Sequence, residues 1–149
     1  MVIYPDTSFL FSLYVQEATS ILAHAFTQRL GEPLVFTPFH RLELRTALRL
    51  RAFRGELSHD DLRLALRESE EAITIGSLKH TPLHWPDALR EAERIGEAHL
   101  LEVGARSGDL FHVAAAVSLG ATEFLTFDDR QHTLARRAGL KVKTWRNPK

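Results

Sequence analysis

The stretch Val2-Ile3-Tyr4-Pro5-Asp6 constrains this chain more than any other. Three apolar or aromatic residues in a row are too few to cross a membrane and read as a short buried strand. Proline has no N–H to give a ladder, so Pro5 belongs at the strand's last position. Asp6 then falls where the strand gives way to Thr7, Ser8 and a helical run that is apolar nearly all round, residues 8–15. In an open parallel sheet the carboxyl ends of the strands border the ligand crevice. Asp6 is therefore either the N-cap of that helix or an acid facing the crevice, and other acids in equivalent places decide between the two.

The same alternation continues along the chain. A more polar helix is predicted over residues 17–30, stopped by Gly31, and a second buried strand over 34–37, closed by Pro38. Helices follow over 39–54, from the Ser58 cap to residue 75, and over 87–101, with a connector at 81–86 that has room for a short strand. Arg106-Ser107-Gly108-Asp109 opens an alanine-rich helix, 110–119, whose small apolar surface must pack closely, most simply on the sheet. A strand over 123–127 ends in Asp128 and Asp129, a basic helix runs over 129–138, and a last strand is predicted over 140–145. This order indicates an α/β fold over residues 1–149, a single domain built as a three-layer sandwich with a mostly parallel central sheet flanked by helices. A chain of this length buries roughly 68–70% of its unfolded surface, enough for a sizeable core.

Composition removes several classes of function. No apolar run approaches a membrane span and no signal-peptide pattern opens the chain, so a cytoplasmic protein with no membrane partner is expected. The absence of cysteine excludes disulfides, thiolate metal sites and a cysteine nucleophile, and leaves oxygen or imidazole as the only metal ligands. Lys plus Arg and Asp plus Glu both number 19, so only a local concentration of charge can attract a polyanion.

Acids do recur in equivalent places. Asp128 ends a strand as Asp6 does, and Asp109 stands at a helix mouth, where an N-cap or first-turn acid is the ordinary alternative. In the helix over 39–54, Arg41, Arg45 and Arg49 form one stripe while Glu43 projects roughly opposite, with Ala47 and Leu50, on the predicted apolar side. A buried carboxylate there needs a cation or another donor. The arginine stripe suits RNA phosphates, solvent or a second subunit equally well. Glu68, Glu70 and Glu71 read as a solvated face. If Asp6, Glu43, Asp109 and Asp128 converge on one sheet edge, their mutual repulsion calls for a cation, and an all-oxygen set points to Mg²⁺ or Mn²⁺.

The order Asp6-Thr7-Ser8, then His40-Arg41-Leu42-Glu43-Leu44, then Gly108-Asp109-Leu110-Phe111-His112-Val113-Ala114-Ala115-Ala116, then Leu125-Thr126-Phe127-Asp128 resembles the PIN domain, above all the ribonuclease toxins of the VapC type. The resemblance spans nearly the whole chain. It implies a metal-dependent endoribonuclease in which Asp6, Glu43, Asp109 and Asp128 are both the metal ligands and the catalytic residues, with Mg²⁺ or Mn²⁺ as the cofactor. It also implies that Ser8 and Thr126 supply hydroxyls that orient the acids, and that cleavage leaves a 5′-phosphate and a 3′-hydroxyl. RNA as substrate, a cognate antitoxin and a homodimer are its further implications. Asp129 competes with Asp128 as a ligand, as a ligand of a second metal or as the cap of the next helix. His112, three residues after Asp109, is either a neighbour of the site or a packing residue.

Two rival readings stay open. A PIN-like fold with too weak a metal site would serve as a non-catalytic RNA- or protein-binding module. A phosphoryl-transfer protein also places Asp at strand ends, but a dehalogenase-like phosphatase wants a second Asp where Ser8 stands, and a receiver wants its acceptor Asp on a middle strand, where Thr37-Pro38 is found.

Overall fold

The strand expected at the start is present as β1 (Ile3–Pro5), with all three residues buried. It pairs in parallel with β4 (Glu123–Leu125), Pro5 lying beside Leu125, and the Asp6 N–H extends the ladder by donating to the Leu125 carbonyl at 2.9 Å. Both strands thus deliver their following residues, Asp6 and Thr126-Phe127-Asp128, to the same edge.

The computed structural model describes residues 1–145, which divide into two compact units, residues 1–6 with 83–145 and residues 7–82. Besides β1 and β4, the first unit holds α5 (Trp85–His99), α6 (Ser107–Ser118) and α7 (Asp129–Arg137). Val113, Ala114, Ala115 and Ala116 are fully buried in α6. Their small side chains allow the close packing the sequence called for, although α6 packs chiefly on α5 and α7 and reaches β1 through His112. Gly96 of α5 faces Leu110 so closely that an added Cβ would stand 3.3 Å from its Cδ2. Tyr4 stacks on Phe124 across the strand pair at a ring separation of 5.7 Å.

The predicted strand over 140–145 is reduced to one bridge between Phe124 and Val142. Val142 is the only apolar residue between Lys141 and Thr144, too little to bury a longer strand. The alanine-rich helix begins at Ser107, earlier than expected, so Asp109 lies inside its first turn.

The second unit holds α1 (Thr7–Tyr14), α2 (Ser20–Leu30), β2 (Leu34–Phe36), α3 (Pro38–Phe53), α4 (His59–Ile75) and β3 (Leu78–His80). Here β2 and β3 pair in parallel, so the short strand lies just before the predicted connector. Helix α2 starts at Ser20 instead of Glu17 because the Ser20 hydroxyl takes the Glu17 N–H at 2.9 Å and donates to the Val15 carbonyl, holding a turn in place of a helical one. Among the described residues no helix is long and apolar enough to cross a membrane.

Candidate functional site

Where β1 and β4 end, one hydroxyl joins two of the expected acids. Thr126, 1% exposed, donates through Oγ1 to Oδ2 of the buried Asp6 at 2.5 Å, and the same oxygen accepts the Asp128 N–H at 3.0 Å. This placement agrees with the orienting role that the resemblance implied for Thr126. Asp128 itself is the N-cap of α7, its Oδ1 accepting the Gln131 N–H at 2.7 Å, while Asp129 is the first helical residue. The cap suggested for Asp129 therefore belongs to its neighbour.

Asp109 and Asp128 meet on a cavity of about 640 Å³ lined by Ala105, Arg106, Asp109, Phe127, Asp128, Asp129, Arg130 and Gln131. Asp6 does not line it and is linked to it through Thr126. Asp109 keeps solvent contact, yet crowding of its carboxyl by surrounding protein holds it above the usual carboxylate range, and the charge of Asp128 adds to this. Arg106 and Arg130 act in the opposite direction. Neither arginine makes an ion pair or side-chain hydrogen bond among the described residues, so both cations stand ready beside the acids.

Two more residues brace this loop, and neither was singled out from the sequence. Gln131, 2% exposed, donates from Nε2 to the Asp109 carbonyl at 2.9 Å, joining α6 to α7. The spacing Asp128-x-x-Gln131 is that of a capping box and was the available signal. Trp145 donates from Nε1 to the Thr126 carbonyl at 2.8 Å and lies against Phe127, ring centroids 4.8 Å apart. No local pattern announces that contact.

The other candidates fall elsewhere. Glu43 is on α3 in the second unit and is half-buried; the buried side of that helix is His40, Leu44 and Leu48, whereas Leu50, its expected apolar companion, is 41% exposed. Glu43 thus flanks the core face instead of lying in it, since one residue's step turns a helix by ~100°. Ser8 lies in the first turn of α1, its carbonyl accepting from Ser12 Oγ at 3.2 Å. His112 is a satisfied packing residue: its Nδ1 shares a 2.8 Å hydrogen bond with the Tyr4 hydroxyl, 1% exposed. Arg41 and Arg45 both pair with Glu70 of α4, so part of the arginine stripe is neutralised within the chain and Glu70 is not merely solvated.

Asp109 and Asp128 offer hard oxygen donors, and the charge of Asp128 raises the cost of ionising Asp109, which fits a small divalent cation. Mg²⁺ commonly uses one or two carboxylates, keeping waters and substrate phosphates as its other ligands. Among the described residues no three His, Asp or Glu side chains are gathered at metal-ligand spacing. The fit is thus to a two-carboxylate seat supported by Asp6 through Thr126.

The sequence model described as PIN domain matches residues 3–137. The chain belongs to the PIN domain family. Its fold is similar to the crystal structure of FitAcB from Neisseria gonorrhoeae, with a TM-score of 0.70 and 16% identity over 96% of this chain and 97% of that one. It is also similar to VapBC2 from Rickettsia felis, solved bound to a DNA fragment from its promoter (TM-score 0.66, 13% identity, 98% and 100% covered). A third similar structure is VapC20 from Mycobacterium tuberculosis, a sarcin-ricin loop cleaving toxin (TM-score 0.60, 18% identity, 88% and 94% covered). No curated protein sequence matches the chain.

Proposed function

We propose that this chain is a metal-dependent endoribonuclease acting as one nuclease domain, with Asp6, Glu43, Asp109 and Asp128 serving one or two Mg²⁺ or Mn²⁺ ions. The observation that carries the proposal is the meeting of Asp109 and Asp128 on one cavity whose lining also supplies the guanidinium groups of Arg106 and Arg130, neither of them ion-paired among the described residues. Carboxylates suit a cation and guanidinium groups suit phosphate, and a phosphodiester substrate needs both. A bound ion supplies an activated water and neutralises charge on the phosphate. The protein's own part is to hold Asp6 and the Asp128 backbone through Thr126, to present Asp109 from the first turn of α6, and to grip phosphate with the two arginines. Glu43 enters the proposal on motif order, and its substitution tests that assignment separately.

RNA as substrate is supported by the resemblance to VapC-type toxins and by the fold shared with VapC20. The same likenesses support a place as the toxin of a toxin–antitoxin pair, held by a cognate antitoxin; a homodimer and a cytoplasmic location complete the proposal. One observation favours the rival reading, a non-catalytic RNA- or protein-binding module: no three potential ligands are gathered among the described residues.

Incubating the purified chain with a mixed RNA pool in Mn²⁺, Mg²⁺ or EDTA separates the two. The expected result is cleavage that EDTA abolishes and that Asp6→Asn, Glu43→Gln and Asp109→Asn each lose, leaving 5′-phosphate ends in the parent digest. RNA retained but never cut with either metal would leave the binding module as the surviving reading.

A further inference from the structure

Gln131 is the only described residue with a buried side-chain polar atom lacking a hydrogen-bond partner, its Oε1. A buried amide oxygen in that state has given up its water without a hydrogen bond in return, which destabilises the fold. A leucine or methionine would fill the same space without this cost. The compensation lies in what the rest of the residue holds.

A capping box satisfies two helix-end donors reciprocally: the cap side chain accepts the N–H three residues on, and the side chain there returns to the cap's own N–H. Asp128 and Gln131 make only the first half, through Asp128 Oδ1 and the Gln131 N–H at 2.7 Å. The second half is diverted. The Asp128 N–H is taken by Thr126 Oγ1, and Gln131 Nε2 crosses to the carbonyl of Asp109. One residue consequently holds the carboxylate of one acid with its backbone and the main chain of the other with its side chain. Both bonds have ordinary lengths for N–H donors, and the side chain is buried.

We propose that Gln131 is a positioning residue that sets the separation of the Asp109 and Asp128 carboxylates by tying the first turn of α6 to the N-cap of α7. The inference rests on the reading that these two acids seat a divalent ion. Mg²⁺ and ions like it tolerate little departure from octahedral geometry, so slack between two of their ligands weakens binding directly. Outer residues that orient ligands contribute about 10–100-fold to metal affinity.

The test is Mn²⁺ binding, followed by the loss of the free-ion signal in electron paramagnetic resonance, for the parent, Gln131→Met and a control, Leu134→Ala. Leu134 is fully buried in α7 and touches none of the acids' hydrogen bonds, so its truncation reports general destabilisation alone. Gln131→Met is expected to melt close to the parent temperature without metal, because removing the orphaned oxygen offsets the lost Nε2 hydrogen bond, and to bind Mn²⁺ about 10–100-fold more weakly. Leu134→Ala is expected to melt lower with Mn²⁺ affinity unchanged. Gln131→Leu replaces the methionine variant should that chain not fold. Parent-like Mn²⁺ affinity in a folded Gln131 variant overturns the positioning role and leaves the nuclease reading intact. A parent that binds no Mn²⁺ overturns the metal reading and this inference with it.

Discussion

Thr126 shows how much a single hydroxyl settles at this edge. Its oxygen gives one proton to Asp6 and receives one from the Asp128 main chain, so valine, the same shape without the oxygen, forfeits both bonds. Thr126→Val is expected to lower metal-free stability by about 1–3 kcal/mol in urea unfolding and to abolish most cleavage, while Thr126→Ser retains both bonds and stays close to the parent. A serine variant as unstable as the valine would show that the methyl's packing, not the hydroxyl, is what matters. At this scale the sequence was readable where chemistry and place coincide: an Asp just past an apolar strand, twice over, is hard to mistake. It was not readable for Gln131, because a capping-box spacing does not reveal that its side chain has been drawn away to another helix. Nor did it reveal Arg106 and Arg130, whose importance comes from the acids they share a cavity with.

Among the elements, α3 depends on an unusual box at its start. Thr37 Oγ1 accepts the His40 N–H at 3.2 Å, and His40 Nδ1 takes the Thr37 N–H at 2.9 Å, the place that Glu or Gln fills elsewhere. Removing the cap with Thr37→Ala should cost about 1 kcal/mol and lower the midpoint of thermal unfolding by about 3 °C. An unchanged melt would mean that buried packing alone starts the helix. Periodicity and punctuation located every helix among the described residues, and missed chiefly where a side chain competes with the backbone or apolar residues run out. Ser20 converts the expected first turn of α2 into a cap-like turn, and the polar Lys141-Val142-Lys143 leaves a bridge where a strand was expected. The face assigned to Glu43 was off by one helical step, because Leu50 seemed a core residue by composition and is not one by contact.

For the molecule as a whole, equal numbers of basic and acidic groups conceal an uneven use of them. Arg41 and Arg45 share Glu70, Arg51 pairs with Glu17 and Glu56, and Arg137 pairs with Glu102. Arg106 and Arg130 have no such internal partner among the described residues. In a cleavage-dead Asp6→Asn chain, single-stranded RNA binding should weaken with salt, and replacing both free arginines by glutamine should reduce the log–log salt slope by about 1.4, near 0.7 per lost phosphate contact. Arg41→Gln should leave the slope unchanged; the reverse pattern would move the RNA track to α3. That distribution could not be read from net charge, whereas the family could, since its acids lie far apart in a fixed order and a chance match to all four is improbable.

The brace between Trp145 and the Thr126 carbonyl also gives the protein its own optical probe. The chain has two tryptophans, and the other, Trp85, stacks on Phe111. In a Trp85→Phe variant all indole emission would arise from a ring hydrogen-bonded to the strand end that carries Asp128. A shift in its wavelength or quenching on adding a cation or an oligonucleotide would then report on the acidic loop in real time, with no dye attached.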